Sequence, residues 1–263
     1  MLVDEILDEI DAEFLNSDIT KMREEWTHYK YKDFPVPRVT EILKCASLSN
    51  DALIKWANSL GFKHQNSNQV RDLAAHRGSM VHDAIEEYIK TGKLPDTTKL
   101  DFETQEIVNN CLDGFMSFWN NYRFKDEIKS IKMEETIVTP FYGGTYDLLI
   151  TLNDGRNYLY DFKTTNALKD SQYVQLAAYQ YALTEYYNTV LSGVGILLIN
   201  KSKPLCQEYF LDFDDPSNLK FMLQCANTFF SVLYTYYNLK QTSFMFSDYL
   251  TNVRKRKIDE YNQ

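Results

Sequence analysis

Apolar residues change their spacing along the chain, and the change predicts a helical part followed by a mixed part. Up to about residue 122 they recur every three or four positions, as on one face of an amphipathic helix. Helices are predicted at residues 1–18, 40–43, 51–60, 69–90 and 101–122. From residue 135 the pattern favours short strands.

Strands are indicated by short runs rich in β-branched and aromatic residues, bounded by turn-forming residues. They are predicted at residues 135–139, 144–152, 157–162, 193–199 and 208–213, with helices at 171–187 and from 216 to about 239. Asn153-Asp154-Gly155-Arg156 favours a tight hairpin between two of these strands. The pattern predicts an α/β fold with a mixed central sheet flanked by helices and preceded by a helical subdomain.

Three parts of the chain are expected to form one compact unit. Residues 1–34 comprise an acidic amphipathic helix and a linker, residues 35–130 are the helical part, and residues 131–263 hold the strands and a closing helix. We expect the acidic helix to pack on the body, and the alternative is an arm that binds a partner. The sequence contains no internal repeat.

Charge narrows the classes of function. The formal net charge of −9 argues against a broad basic face that coats DNA, but it leaves room for one local cationic groove. The 19 Tyr and 16 Phe are explained most simply by a tyrosine-rich core and surface, although some could stack on bases.

The four cysteines and the first residues of the chain indicate the cellular compartment in which the protein is expected. Cys45, Cys111, Cys206 and Cys225 form no C-x-x-C pair, which argues against a zinc knuckle or a disulfide framework. The first residues show no signal peptide, and no stretch is long enough to span a membrane. We expect an intracellular, reducing location, the cytoplasm of a bacterial or phage-infected cell, with no membrane partner.

The predicted hairpin carries the residues with the clearest chemical meaning. Asp147 lies on its first strand, and Asp161 and Lys163 lie two residues apart on its second, so they share one face. Two carboxylates and one ammonium converging at a sheet end suit hydrolysis with Mg²⁺ or Mn²⁺, and the backbone carbonyl of Phe162 is a further candidate ligand. The alternative is a surface hairpin with an ordinary Asp–Lys pair.

Polar residues on two helices extend this set. His82 and Glu86 are four residues apart on one helix face, from which both could reach a metal held by the hairpin. Gln175 and Tyr179 have the same spacing on the helix after Lys163, where they could hold a phosphate or a base. The simpler explanations are an ordinary helix histidine and a polar helix edge.

Together these motifs resemble a known family. Arg77-Gly-x-x-x-His82, Gly143-x-x-x-Asp147, Asp161-x-Lys163-Thr164 and Gln175-x-x-x-Tyr179 look like the RecB-type branch of the PD-(D/E)XK nucleases. The segment Pro37–Leu43 also resembles one found in mitochondrial genome maintenance exonucleases and their phage relatives. The resemblance covers about residues 35–199 and implies a restriction-endonuclease-like core.

Roles for individual residues follow from the resemblance. It implies that His82, Asp147 and Asp161 bind Mg²⁺ or Mn²⁺ and that Lys163 assists catalysis. Supporting or substrate-binding roles fall on six further residues: Arg77, Glu86, Thr164, Thr165, Gln175 and Tyr179. Some relatives hold an iron–sulfur cluster through one early and three late cysteines, and this chain lacks the late trio, so we expect no cluster.

The implied function is exonucleolytic hydrolysis of DNA, with single-stranded ends preferred. It would serve DNA replication, recombination or repair, with a replication or recombination protein as a possible partner. Three alternatives stay open: a ring-shaped double-strand exonuclease, an inactive nuclease fold that binds nucleic acid, and a non-enzymatic interaction protein.

Overall fold

A computed structural model describes residues 26–46, 51–165 and 167–261 of the chain. The predicted acidic helix at residues 1–18 lies outside the described residues. The helices are α1 (Val39–Leu43), α2 (Asp51–Phe62), α3 (Ser67–Thr91), α4 (Phe102–Asn120), α5 (Asp170–Tyr187) and α6 (Pro216–Tyr261). The strands are β1 (Tyr29–Tyr31), β2 (Phe34–Val36), β3 (Ile128–Val138), β4 (Gly143–Leu152), β5 (Asn157–Lys163), β6 (Gly193–Ile199) and β7 (Cys206–Asp212).

Five strands form one mixed sheet in the order β3-β4-β5-β6-β7. Neighbouring strands are antiparallel except β5 and β6, which are parallel and are joined by the crossover helix α5. Every residue of β6 is buried, as expected for a strand covered on both faces. The predicted α/β fold with a mixed, helix-flanked sheet is confirmed.

Each face of the sheet has its own hydrophobic core. The first core packs α1, α5 and α6 against side chains such as Leu149, Leu159 and Ile196. The second packs α3 and α4 against the opposite face, where Leu148 and Tyr160 are buried. The protein is therefore a three-layer structure, with α3 and α5 on opposite sides of the sheet.

An N-terminal hairpin of β1 and β2 abuts the start of β4. The Gly143 amide donates to the Pro37 carbonyl at 2.9 Å, and Arg38 forms a parallel bridge with Gly143. A Cβ on Gly143 would lie 2.5 Å from the Tyr29 ring, so the close approach requires glycine. This contact places the β1–β2 hairpin at the same end of the sheet as Asp147.

Three boundaries differ from the predictions. The prediction that α6 ends near Leu239 is wrong: without a Gly or Pro after Pro216, the helix continues to Tyr261 although its apolar pattern has faded. β3 begins at Ile128 rather than at residue 135, because polar residues alternate on its exposed side. Strands are predicted from residue 135 onward, but β1 and β2 form earlier in the chain, and Pro35 is tolerated in this two-stranded sheet.

No helix among the described residues is both long and apolar enough to cross a membrane.

Candidate functional site

The alternation of side chains between the two faces of the central sheet is interrupted at one point. The candidate site lies at that point. Met133 packs in the second core, whereas Ile137, four residues later on β3, packs in the first. Residues four apart in a regular strand face the same side. Between them Glu134 has a φ of +50°, a conformation that costs free energy in a residue other than glycine and is concentrated at functional sites.

The alternation of side chains between the two faces is also interrupted in β4, beside Glu134. Tyr146 packs in the first core and Leu148 in the second, although they are two residues apart. The pairs Met133–Leu148 and Glu135–Tyr146 put Glu134 opposite Asp147 in the register. The irregular backbone therefore directs two carboxylates from neighbouring strands toward one place.

Strands β4 and β5 separate at the same level. Their ladder ends at the pair of Leu148 with Tyr160, so Asp147 and Asp161 would be the next partners. Instead, the Phe162 amide donates to the Asp147 carboxylate, which fills the gap between the strands. The Asp147 side chain is thus fixed by the backbone of the strand that carries Asp161 and Lys163.

Helix α3 supplies an imidazole to this gap. Val81, Ala84 and Ile85 anchor the helix in the second core, which turns His82 toward the sheet end. His82 Nδ1 lies 3.4 Å from Asp147 Oδ1 and 3.5 Å from Glu134 Oε1. One ligand atom from each of His82, Glu134 and Asp147 lies within 4.8 Å of the others, which is close enough to share one metal ion.

The electrostatics of this trio favour a cation. Burial lowers the pKa of His82, but the Asp147 and Glu134 carboxylates outweigh it and raise that pKa to about 10. Glu134 Oε1 is buried and accepts no hydrogen bond from the described residues. Its one charged neighbour within 4.0 Å among the described residues is the His82 ring. Since two carboxylates converge on one imidazole, and this donor set suits Mn²⁺ and related cations, the trio fits a divalent metal.

Asp161 and Lys163 form an ion pair beside the trio, with Asp161 Oδ2 2.6 Å from Lys163 Nζ. Burial raises the pKa of Asp161, although the Lys163 ammonium opposes this. Burial lowers the pKa of Lys163, but Asp161 and Asp147 more than compensate, so the net shift is upward and the ammonium stays charged.

Helix α5 adds Gln175 and Tyr179 to the same end of the sheet. Lys163 Nζ lies 3.5 Å from Gln175 Oε1, and Gln175 Nε2 donates to the Tyr179 hydroxyl at 3.0 Å. Tyr179 in turn packs on Gly144, where a Cβ would lie 2.4 Å from its ring. The four-residue spacing seen in the sequence therefore becomes a chain of contacts from β4 to the ammonium of Lys163.

Comparison with known proteins then identifies the family. The sequence model described as the PD-(D/E)XK nuclease superfamily matches residues 56–240, more than half of the chain. The chain belongs to the PD-(D/E)XK nuclease superfamily. No protein of curated function matches its sequence. The chain is also similar to the crystal structure of SSO0001, with 14% sequence identity and a TM-score of 0.36. The superposition covers 78% of this chain and 81% of the SSO0001 chain.

Other candidate residues of this PD-(D/E)XK nuclease lie outside the cluster. The Arg77 side chain is only 11% exposed. Both of its terminal nitrogens lie 2.8 Å from Glu103 oxygens, and its Nε donates to the Thr104 hydroxyl. Glu86 pairs with Lys90 on the helix surface. These contacts tie α3 to α4 and to its own next turn, rather than to the sheet end.

Thr164 and Thr165 follow Lys163 directly. The Thr165 hydroxyl donates to the Ala167 carbonyl at 3.0 Å. Thr164 Oγ1 lies 3.5 Å from the position of a Cβ on Gly78, so it contacts α3. Both side chains shape the loop after β5, and the described contacts include none with His82, Asp147 or Asp161.

Glu134 is the residue of this nuclease that the sequence did not single out. Its neighbour Glu135 has the same chemistry but directs its carboxylate to the Tyr146 hydroxyl at 2.9 Å. In a regular strand the two would face opposite sides, but sequence alone does not show which faces the metal site. The only available signal was the Glu-Glu pair within an alternating strand beside a Gly-x-x-x-Asp motif.

Proposed function

We propose that this PD-(D/E)XK nuclease is an Mg²⁺- or Mn²⁺-dependent exodeoxyribonuclease of the RecB-type branch that prefers single-stranded DNA ends. The observation that carries the proposal is the convergence of His82, Glu134 and Asp147 beside the Asp161–Lys163 pair at the gap between β4 and β5. These are hard oxygen ligands, one imidazole and one ammonium, held in a largely buried end of the sheet.

His82, Glu134 and Asp147 would hold the metal, with Asp161 and the Phe162 carbonyl as further candidate ligands. A bound Mg²⁺ or Mn²⁺ polarises a phosphodiester and lowers the pKa of a water molecule. The protein's own contribution is a rigid ligand set: Asp147 is held by the Phe162 amide, and His82 is held by α3. Fixed ligands need no reorganisation when substrate binds.

Lys163 would stabilise negative charge that develops on the scissile phosphate. Its ammonium pairs with Asp161 and is oriented by Gln175, whose amide is held by Tyr179. An ammonium in a partly buried site interacts with a developing oxyanion more strongly than it would in water. Gln175 and Tyr179 are therefore proposed as positioning residues for Lys163.

The preference for single strands rests on the helices before the site. Residues 71–76, which precede His82 on α3, are all exposed, so this half of the helix projects from the body. On α2, Trp56 is 36% and Phe62 88% exposed, with Lys55 and Lys63 beside them. Exposed aromatics next to lysines are able to stack on unpaired bases, which a duplex does not offer.

Several aromatics near the end of α4 and on α3 are core residues and do not offer a stacking surface. Trp119 and Tyr122 are 5% and 4% exposed and stack on each other within the second core. Tyr88 is partly buried against the same core. The candidate stacking residues for single strands that remain are therefore Trp56 and Phe62 on α2.

The proposal is tested with end-labelled substrates of one sequence: linear single strand, circular single strand and blunt duplex, each with Mg²⁺, Mn²⁺ or a chelator. We expect release of short products from linear single strands, only with metal. Rapid cutting of the circle would contradict end dependence. Faster digestion of the duplex would favour the double-strand exonuclease, and no metal-dependent cleavage would favour an inactive, DNA-binding fold.

A further inference from the structure

A cavity of about 350 Å³ lies where the N-terminal hairpin meets α1, outside the cluster described above. We call it the Arg38 cavity; its lining includes Trp26, His28, Arg38, Glu41 and Lys44. Its size is within the range of small-ligand sites. Its position and charge suggest a role that the metal-binding cluster does not cover.

Arg38 differs from the other arginines whose side chains the structure describes. Arg71, Arg77, Arg123 and Arg156 each lie within 4.0 Å of a carboxylate, whereas Arg38 forms no ion pair with any described residue. Its Nε is buried and has no hydrogen-bond partner there. The Arg38 guanidinium therefore keeps donor capacity that no described residue uses.

The other charges around the cavity favour an anion. Lys44 is exposed and has no ion-pair partner among the described residues, and His28 lies on the cavity wall. Glu41 is the acidic group of the lining, and its carboxylate already accepts a hydrogen bond from the Tyr236 hydroxyl. That hydrogen bond leaves Glu41 charged, so Arg38 and Lys44 exceed it by one positive charge, which is a local positive site in a chain with a net charge of −9.

The cavity is joined to the active site through β4. Arg38 bridges to Gly143, which precedes Asp147 by four residues, or about 13 Å of strand at about 3.3 Å per residue. The Tyr29 hydroxyl, on the same hairpin, lies 3.0 Å from Thr145 Oγ1, two residues before Asp147. A nucleic acid strand held at the metal site is therefore able to reach the cavity with a phosphate about two linkages away, because this span exceeds the distance between adjacent phosphates.

We propose that the Arg38 cavity binds a phosphate of the substrate strand about two linkages from the phosphate that is cut. The proposal rests on the nuclease function proposed above, and it assigns to the β1–β2 hairpin a part in holding the strand. Arginine suits this task because its planar fork of donors matches the oxygens of a phosphate. Lys44 adds a second charge at the mouth of the cavity.

Binding is measured by fluorescence anisotropy of a short oligothymidine in chelator, which separates it from cleavage. We expect Arg38→Gln to raise the Kd at least tenfold and to reduce the slope of log K against log salt by about 0.7, the value for one contact to a single strand. Lys44→Gln should act in the same direction. Arg156→Gln, an equal charge change at the β4–β5 turn, should alter neither quantity.

A linkage scan locates the contact. Each phosphate of the oligonucleotide is replaced in turn by a neutral methylphosphonate, and the Kd is measured for wild type and Arg38→Gln. We expect one linkage whose neutralisation weakens wild type but has little further effect on Arg38→Gln. Equal losses in both proteins at every linkage, with thermal unfolding unchanged, would overturn the proposal, and Lys44→Gln provides the same comparison if Arg38→Gln does not fold.

Two further measurements separate this proposal from its rivals. Thymidine 5′-monophosphate should bind much more weakly than the oligonucleotide, and equally tight, Arg38-dependent binding would assign the cavity to a free nucleotide instead. Wild-type cleavage with Mn²⁺ is assayed in parallel. If one linkage depends on Arg38 but the protein does not cleave DNA, the nuclease function is refuted and the subsite is not. If the protein cleaves DNA but no linkage depends on Arg38, the subsite is refuted and the nuclease function is not.

Discussion

At the scale of single residues, two adjacent glutamates offer the sharpest comparison. Glu134 faces His82 at 3.5 Å, while Glu135 accepts from the Tyr146 hydroxyl. We expect Glu134→Gln to weaken Mn²⁺ binding at least tenfold, because it replaces an anionic oxygen ligand with a neutral amide. Glu135→Gln should leave Mn²⁺ affinity within about twofold. It should cost at most about 1 kcal/mol, because Gln still accepts from the Tyr146 hydroxyl and only the exposed ion pair with Lys132 is lost.

Titration calorimetry or manganese electron paramagnetic resonance measures the metal affinity of both variants without reference to activity. Equal weakening by the two substitutions would show that general negative charge, and not the position of Glu134, attracts the metal. If neither substitution changes the affinity for Mn²⁺, Glu134 is not a metal ligand.

Lys163 is predicted to act on the reaction rather than on the metal. We expect Lys163→Ala to lower kcat by about a hundredfold or more, since it removes stabilisation of developing charge. The affinity for Mn²⁺ should be retained, because an ammonium is not a metal ligand. A turnover number like that of wild type in single-turnover cleavage would leave only a structural ion pair with Asp161.

At the scale of elements, we expect the contact between β4 and α5 to fix the orientation of Lys163. A Cβ on Gly144 would lie 2.4 Å from the Tyr179 ring, so Gly144→Ala must displace Tyr179 and with it the Gln175 amide. We expect a loss of about 1–3 kcal/mol in the free energy of unfolding from overpacking. We also expect a lower kcat with little change in Mn²⁺ affinity.

Gly61→Ala is the matched control, because no atom lies within 4 Å of the place that a Cβ would take at this position of α2. It should be neutral or slightly stabilising, by up to about 1 kcal/mol, as for alanine in place of glycine in a helix. Chemical denaturation and single-turnover cleavage of the two variants give the comparison. A Gly144→Ala protein with wild-type kcat would show that Lys163 does not depend on the Gln175–Tyr179 contact.

At the scale of the whole molecule, α6 has a packed part and an unpacked part. Among the α6 side chains that the structure describes, the buried ones, including Met222, Phe229 and Tyr237, lie before residue 240, and Met245 and Phe246 are about 60% exposed. We expect a chain ending at residue 240 to keep its fold, with a melting temperature within about 4 °C of the full chain, equivalent to no more than roughly 1 kcal/mol.

Differential scanning calorimetry of the two chains measures this, with cleavage as a second readout. A large drop in melting temperature would mean that residues beyond 240 contribute to the core or to an assembly. Dependence of the melting temperature on protein concentration, in the full chain only, would point to assembly.

The order and type of most elements could be predicted from the sequence, because each has a local cause. Apolar spacing defined α3 and α4, and Asn153-Asp154-Gly155-Arg156 defined the β4–β5 hairpin. The same hairpin predicted that Asp147, Asp161 and Lys163 would converge, since strand alternation and turn position are local properties. The end of α6 was not predictable from apolar spacing, because a helix without breakers continues after its packed face has ended.

Only the tertiary structure decided how the site is completed. Glu134 enters it through a positive φ and a change of facing that arise where β3 and β4 pass between two cores, and no local pattern encodes them. Likewise, Arg77 is bound by Glu103 on another helix, whereas Arg38 forms no ion pair with any described residue and lies beside a cavity. The sequence by itself determined which chemical groups the chain carries, and long-range packing determined which of them meet, because that depends on residues far apart in the chain.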